Sequence, residues 1–157
     1  MSVAAEELYS LLIPLSEERL IVPRACVAEV VRFMRPDKGV GSQDWLLGKI
    51  NWNGRELPVV AYEGLIGKPI PESSGRTRIV VFYAGSGRLQ GGHFGLLTQG
   101  FPQLVRVNRD VLKLDSANDG WGEGAPVLCR VKMINEYPLI PNLDTLEELI
   151  SEEITQA

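Results

Sequence analysis

Residues 45–62, WLLGKINWNGRELPVVAY, are two apolar runs joined by Asn53-Gly54, and this stretch constrains the fold more than any other in the chain. Asn-Gly between such runs marks a two-residue hairpin, because a type I′ turn needs positive φ at both central residues. With 53–54 as the loop, Trp52 faces Arg55, Asn51 faces Glu56, Ile50 faces Leu57 and Lys49 faces Pro58. One face carries Gly48, Ile50, Trp52, Leu57 and Val59, and the other carries Lys49, Asn51 and Glu56. The period-2 alternation therefore holds in both arms. Pro58 falls at a non-hydrogen-bonded pair, so its missing N–H points away from the partner strand. That side must be an edge, a bulge or the last paired position.

The rest of the chain repeats the pattern of short apolar runs punctuated by Gly, Pro, Asn and Asp. Strands are predicted at Leu8–Leu15, Arg19–Val22, Cys26–Phe33, Leu47–Trp52 and Arg55–Ala61, then at Arg76–Tyr83, His93–Thr98, Leu104–Val107, Val127–Met133 and Tyr137–Ile140. About ten short strands at this spacing argue for all-β barrels or a sandwich. GKPIPESSG (67–75) is a loop or linker and the natural place to divide two lobes. Residues 34–44 read as a crossing loop, and 114–125 (LDSANDGWGEGA) as a polar, Gly-rich insertion. One helix closes the chain, capped by Asn142 or Asp144, with Leu143, Leu146, Ile150 and Ile154 on one face and Glu148, Glu152 and Glu153 on the other. Glu147 stands three residues after Asp144, as in a capping box.

Net charge and motif content narrow the function classes. A net charge of −4 speaks against nucleic acid, whose phosphates call for a Lys/Arg excess. No apolar run reaches the ~20 residues a membrane-spanning helix needs, and the acidic start MSVAAEELYS does not read as a signal peptide, so a cytoplasmic chain is expected. Cys26 and Cys129 are then expected to be reduced and buried. The single histidine, His93, and two distant cysteines form no zinc spacing, and no nucleophile elbow or P-loop occurs. Glycines 85, 87, 91 and 92 open no helix and suit a long hairpin loop rather than a phosphate cradle. The acid pairs Glu6-Glu7, Glu17-Glu18 and Glu147-Glu148 read as solvated charge. No catalytic residue, cofactor or metal site is expected, and the chain reads as a non-enzyme. Of the tryptophans, Trp45 reads as a plug, Trp52 as core or interface, and Trp121 as exposed or as the pin of its loop.

Several of these segments, in their order and spacing, resemble the CheW-like domain, the adaptor module of bacterial chemosensory arrays. VAEVVRF (27–33) is similar to the family's V-x-E-[VI] strand, and GKINWNGRELPVVAY (48–62) to its hairpin segment. RTRIVVFY (76–83), HFGLLTQGFPQLVRV (93–107) and VKMINEYPLIPNLDTLEELI (131–150) resemble the later strands and the closing helix. Trp52 looks more like the type IV pilus, twitching-motility branch than the flagellar one. The resemblance implies two small five-stranded SH3-like β-barrel lobes, about 15–66 and 76–140 with linker 67–75, and a terminal helix at about 142–153. It also implies a non-catalytic adaptor that couples a methyl-accepting chemoreceptor tip to a CheA-like histidine kinase of a two-component system, without inserting in the membrane.

Carried over by motif, Val27 and Glu29 lie at the receptor groove, Gly48, Asn53 and Gly54 in the hairpin that holds it, and Phe101 and Leu104 along its apolar lining. Two positions depart from the pattern. Asn53 stands where the family usually has an Arg able to pair with the acid of V-x-E, which leaves Glu29 to Arg55, to Arg32 or to solvent. Gln99 stands where an Asp is common. The alternative reading is a β-barrel module that binds protein or ligand outside an array, and a third is a hydrolase-like enzyme using His93, in which His93→Ala is expected to change nothing.

Overall fold

The computed structural model of the protein describes residues 8–38, 43–108, 112–115, 121 and 124–155. Its strands are β1 (Leu8–Pro14), β2 (Arg19–Pro23), β3 (Val27–Arg32), β4 (Leu46–Trp52), β5 (Arg55–Val60), β6 (Arg78–Tyr83), β7 (His93–Thr98), β8 (Gln103–Val107), β9 (Lys113–Asp115), β10 (Val127–Lys132) and β11 (Leu139–Pro141). A one-turn helix α1 (Tyr62–Leu65) follows β5, and α2 (Leu143–Thr155) ends the described chain. Glu6-Glu7, the centre of the 34–44 loop and most of the 114–125 insertion lie outside the described residues.

These strands form two sheets, one of six strands in the order β8-β1-β2-β11-β10-β9 and one of five in the order β3-β6-β7-β5-β4. The mostly-β fold with a terminal helix is the one the sequence implies. The division of the chain between the sheets is not. β6 and β7 bond to β3 and β5, so 67–75 is a loop within one sheet rather than a linker between lobes. β1 and β2 instead join β8–β11, and β9 adds a sixth strand where the polar insertion was expected to begin. The reason is physical: composition shows that a run is a strand, but the partner is chosen by burial of both faces across long separations. β6 makes the point, since Val80 and Phe82 bury one face and Ile79 and Val81 the other.

The shared core lies between the sheets. Ile13, Leu20 and Val22 of one sheet meet Val60, Val80, Phe82, Phe94 and Leu96 of the other, and Leu146 and Ile150 of α2 seal it. Cross-strand partners Phe82 and Phe94 stack with centroids 5.1 Å apart, a pair worth about 0.5–1.5 kcal/mol beyond its buried area. Each sheet also wraps a core of its own. One holds Ile50, Leu57, Val59, Ile79, Val81 and Leu97, and the other Leu12, Ile21, Val107 and Val131. Gly95 makes the first closure possible, because a Cβ there would lie 2.8 Å from Ile79 Cγ2. Trp45 is buried in the shared core as a plug, and Trp121 packs at its margin with the Arg130 guanidinium 5.8 Å from its ring centroid.

Two acid pairs read as solvated are corrected. Glu147 is buried and accepts the Ser86 N–H at 3.0 Å and the Ser86 hydroxyl at 2.5 Å, which fastens the β6–β7 loop to α2. The nearby Arg88–Asp144 ion pair, 2.8 Å, does the same at the surface. Glu18 accepts both ends of Arg130, at 3.0 and 2.8 Å. Glu153, expected on the polar face of the helix, is buried as well. Asn142 is the cap, its Oδ1 accepting the Thr145 N–H at 3.1 Å.

Candidate functional site

The hairpin forms as its sequence dictates. Asn53 and Gly54 have φ of 50° and 77°, and the pairs Trp52↔Arg55, Asn51↔Glu56, Ile50↔Leu57 and Lys49↔Pro58 are all present. Pro58 stands next to Val59, where the parallel pairing of β5 with β7 begins, so its missing N–H breaks no ladder bond. Gly48 sits at a bulge with φ of 135°, and a Cβ there would lie 2.3 Å from the Asp37 carbonyl oxygen. That oxygen accepts the Lys49 N–H at 3.0 Å, while the Asp37 N–H donates to the Lys49 carbonyl at 2.8 Å. Gly48 thus lets the 34–38 segment dock on the outer strand β4.

The turn carries Trp52 to the end of the sheet, where its indole N–H donates to Glu29 Oε1 at 3.1 Å. Glu29 takes neither Arg55 nor Arg32 as its partner but a tryptophan. β3 and β4 are the outer strands of the five-stranded sheet, so the bond joins its two edges at one mouth. His93 packs there as well, its ring centroid 4.8 Å from Trp52 and 5.3 Å from Tyr83, its Nδ1 3.0 Å from the Gly91 carbonyl oxygen. Register explains the gathering: Glu29 is opposite Val81, and Tyr83 opposite His93, on the face that also carries Trp52. Sequence reasoning placed Trp52 on this face but did not see that Tyr83 and His93 end strands on the same face.

Val27 begins the same strand as Glu29 and is half-buried against the shared core. Phe101 (70% exposed) follows β7, and Leu104 (53% exposed) lies on β8, the outermost strand of the other sheet, opposite Leu11. Glu29 and the Asn53–Gly54 turn are brought together through Trp52, while Leu104 lies on β8 of the other sheet. Gln99 stands at a junction between the sheets: its N–H donates to the Pro14 carbonyl at 2.9 Å, and its side-chain nitrogen is buried without a hydrogen bond among the described residues.

Elsewhere the polar interior is sparse. Glu63 is 1% exposed; its Oε2 accepts the Ser16 N–H at 3.2 Å, and its Oε1 has no partner among the described residues. Burial pushes its carboxyl above the ordinary range, with backbone hydrogen bonds opposing. Tyr62 is raised by burial, and by Glu18, and donates to the Pro126 carbonyl at 2.5 Å. Burial also raises both thiols, Cys26 and Cys129, which are half-buried and unpaired. Raised thiols favour the unreactive protonated form. The described residues hold no cluster of His, Cys, Asp or Glu able to bind a metal ion, and no helix among them is long and apolar enough to cross a membrane.

The sequence matches the profile of the CheW-like domain over residues 10–128. The fold is similar to the crystal structure of the scaffolding protein TtCheW from Thermoanaerobacter tengcongensis, with a TM-score of 0.77 and 19% identity, over 94% of this chain and 97% of that one. No curated protein matches it in sequence.

Proposed function

The chain belongs to the CheW-like domain family, and from that membership we propose that it is a non-catalytic adaptor coupling a chemoreceptor tip to a CheA-like histidine kinase in a chemosensory array, serving chemotaxis or pilus-based motility. The observation that carries the reading is the family match across most of both sheets. The fold of a protein described as a scaffold supports it. In this reading Val27 and Glu29 on the outer strand β3 contact the receptor, and Gly48, Asn53 and Gly54 shape the hairpin that holds Glu29. Phe101, exposed between β7 and β8, and Leu104, exposed on β8, supply the apolar contact.

Co-sedimentation tests it. The full chain is mixed with receptor cytoplasmic fragments and with a CheA-like histidine kinase. Binding to both at micromolar concentration is the expected result. Failure to bind either one overturns the coupling role.

A further inference from the structure

Three surface aromatic rings of this protein carry a cation of their own. Arg106 lies 6.0 Å from the centroid of Tyr9, its cross-strand partner; Arg130 lies 5.8 Å from Trp121; and Lys132 lies 6.0 Å from Tyr137. The mouth of the five-stranded sheet breaks this pattern. Trp52, His93 and Tyr83 form a continuous ring cluster there, with Tyr83 52% exposed, yet among the described residues no cation lies over Trp52 or Tyr83. Arg55, the cross-strand partner of Trp52, reaches the Gly91 carbonyl that His93 also approaches, 3.5 Å away, without lying over either ring, and Arg32 lies toward the far end of β3, opposite Arg78.

The same mouth holds an exposed carboxylate. Glu29 Oε1 is fixed by the Trp52 indole, and Oε2 makes no hydrogen bond or ion pair among the described residues. An anchored carboxylate beside an exposed tyrosine ring and a half-buried indole suits one chemical group above others. A guanidinium is planar, stacks on aromatic faces and donates to a carboxylate in a fixed fork, whereas an ammonium is compact and more strongly hydrated.

We propose that Glu29, Trp52, Tyr83 and His93 form a cradle for an arginine side chain of the partner protein. The identity of that partner rests on the adaptor reading; the chemistry of the cradle does not. The Trp52 bond sets the direction of the carboxylate, and the rings of Trp52 and Tyr83, both tilted against His93, form the platform. Glu29 and Trp52 are then positioned to discriminate among partners by charge.

The test uses the full chain in two arms. In the first, N-acetyl-arginine amide, the lysine analogue and the neutral citrulline analogue are titrated while the Trp52 indole N–H is followed by NMR, assigned through Trp52→Phe. Arginine is expected to shift that resonance and citrulline to leave it in place, with the response abolished in Glu29→Gln, a variant that keeps the acceptor for Trp52. In the second, binding of a receptor-tip fragment is measured for the wild type, Glu29→Gln and Tyr83→Leu. Each variant is expected to bind about tenfold more weakly at low salt, with the Glu29→Gln deficit shrinking as salt rises. Tyr137→Leu, whose ring already carries Lys132, is expected to bind as the wild type does. Equal responses to arginine and citrulline overturn the cradle. So does receptor binding unchanged by Glu29→Gln and Tyr83→Leu, and the adaptor reading then survives. An arginine response without any receptor binding supports the cradle and overturns the adaptor reading instead.

Discussion

The Trp52 indole N–H meets Glu29 Oε1 at 3.1 Å, and so ties β4 to β3 across the open seam of the five-stranded sheet. A sheet whose outer strands are held by side chains is protected from pairing with another chain, although the backbone ladder is not completed. Trp52→Phe keeps a ring against the inner core but removes the donor together with part of the indole's packing. It is expected to destabilise the protein by about 0.5–1 kcal/mol, read as a lower urea midpoint with an unchanged slope. An unchanged midpoint would show that the bond adds nothing to stability.

Asn53→Arg restores the residue usual in the family but places it at φ of 50°. Arginine accepts that conformation less readily than asparagine, so a loss of about 1 kcal/mol is expected. Trp52 occupies only Glu29 Oε1, so the new guanidinium competes for the other oxygen, and on the adaptor reading receptor binding is expected to weaken. A large gain in affinity would mean that the indole is a poor replacement for the guanidinium.

Gly48→Ala asks for a Cβ 2.3 Å from the Asp37 carbonyl oxygen at φ of 135°. The 34–38 segment must then lift off β4, or the bulge must flatten. Either costs roughly 1–3 kcal/mol, and a thermal melt compared with wild type measures it. Lys49 and Asp37 amides, bonded in the folded protein, should also lose protection from hydrogen exchange.

Glu63 sets a pH dependence with a definite sign. Its carboxyl is raised above the ordinary value of 4.5 by burial, so the unfolded chain releases this proton more readily than the folded one. Its favourable contribution is complete below the unfolded value and is lost as pH rises through the folded one. Glu63→Gln removes the dependence. The variant is expected to gain on wild type in urea midpoint between pH 4 and pH 8, and to exceed it at the upper end. A constant difference across that window would assign the pH dependence to other groups.

The strands were legible because the hydrophobic period is local, and His93–Thr98 is present with the ends its sequence suggests. Their partners were not, because nothing near Arg78–Tyr83 says that Val27–Arg32 will lie alongside it. The same limit applied to the site. Asn53-Gly54 announced the turn, and period 2 put Trp52 on the inner face, but Glu29 is 23 residues away and the bond between them depends on how far the sheet curls. Glu147 misled for a related reason: a helix pattern shows which face is apolar, not which acid will meet a serine in a distant loop.

The five-stranded sheet is built from one unbroken stretch, residues 27–98, set between β2 and β8 of the other sheet. A chain emerging from the ribosome can therefore complete that sheet while β1 and β2 have only each other to pair with. The apolar LYSLLIP strand must wait for β8, and β2 for β11, both made only after the five-stranded sheet. Waiting strands with open edges are where a nascent chain is most prone to self-association. Soluble yield should therefore respond to translation speed and chaperone supply through β1 and β2 first, and through the hairpin around Asn53 least.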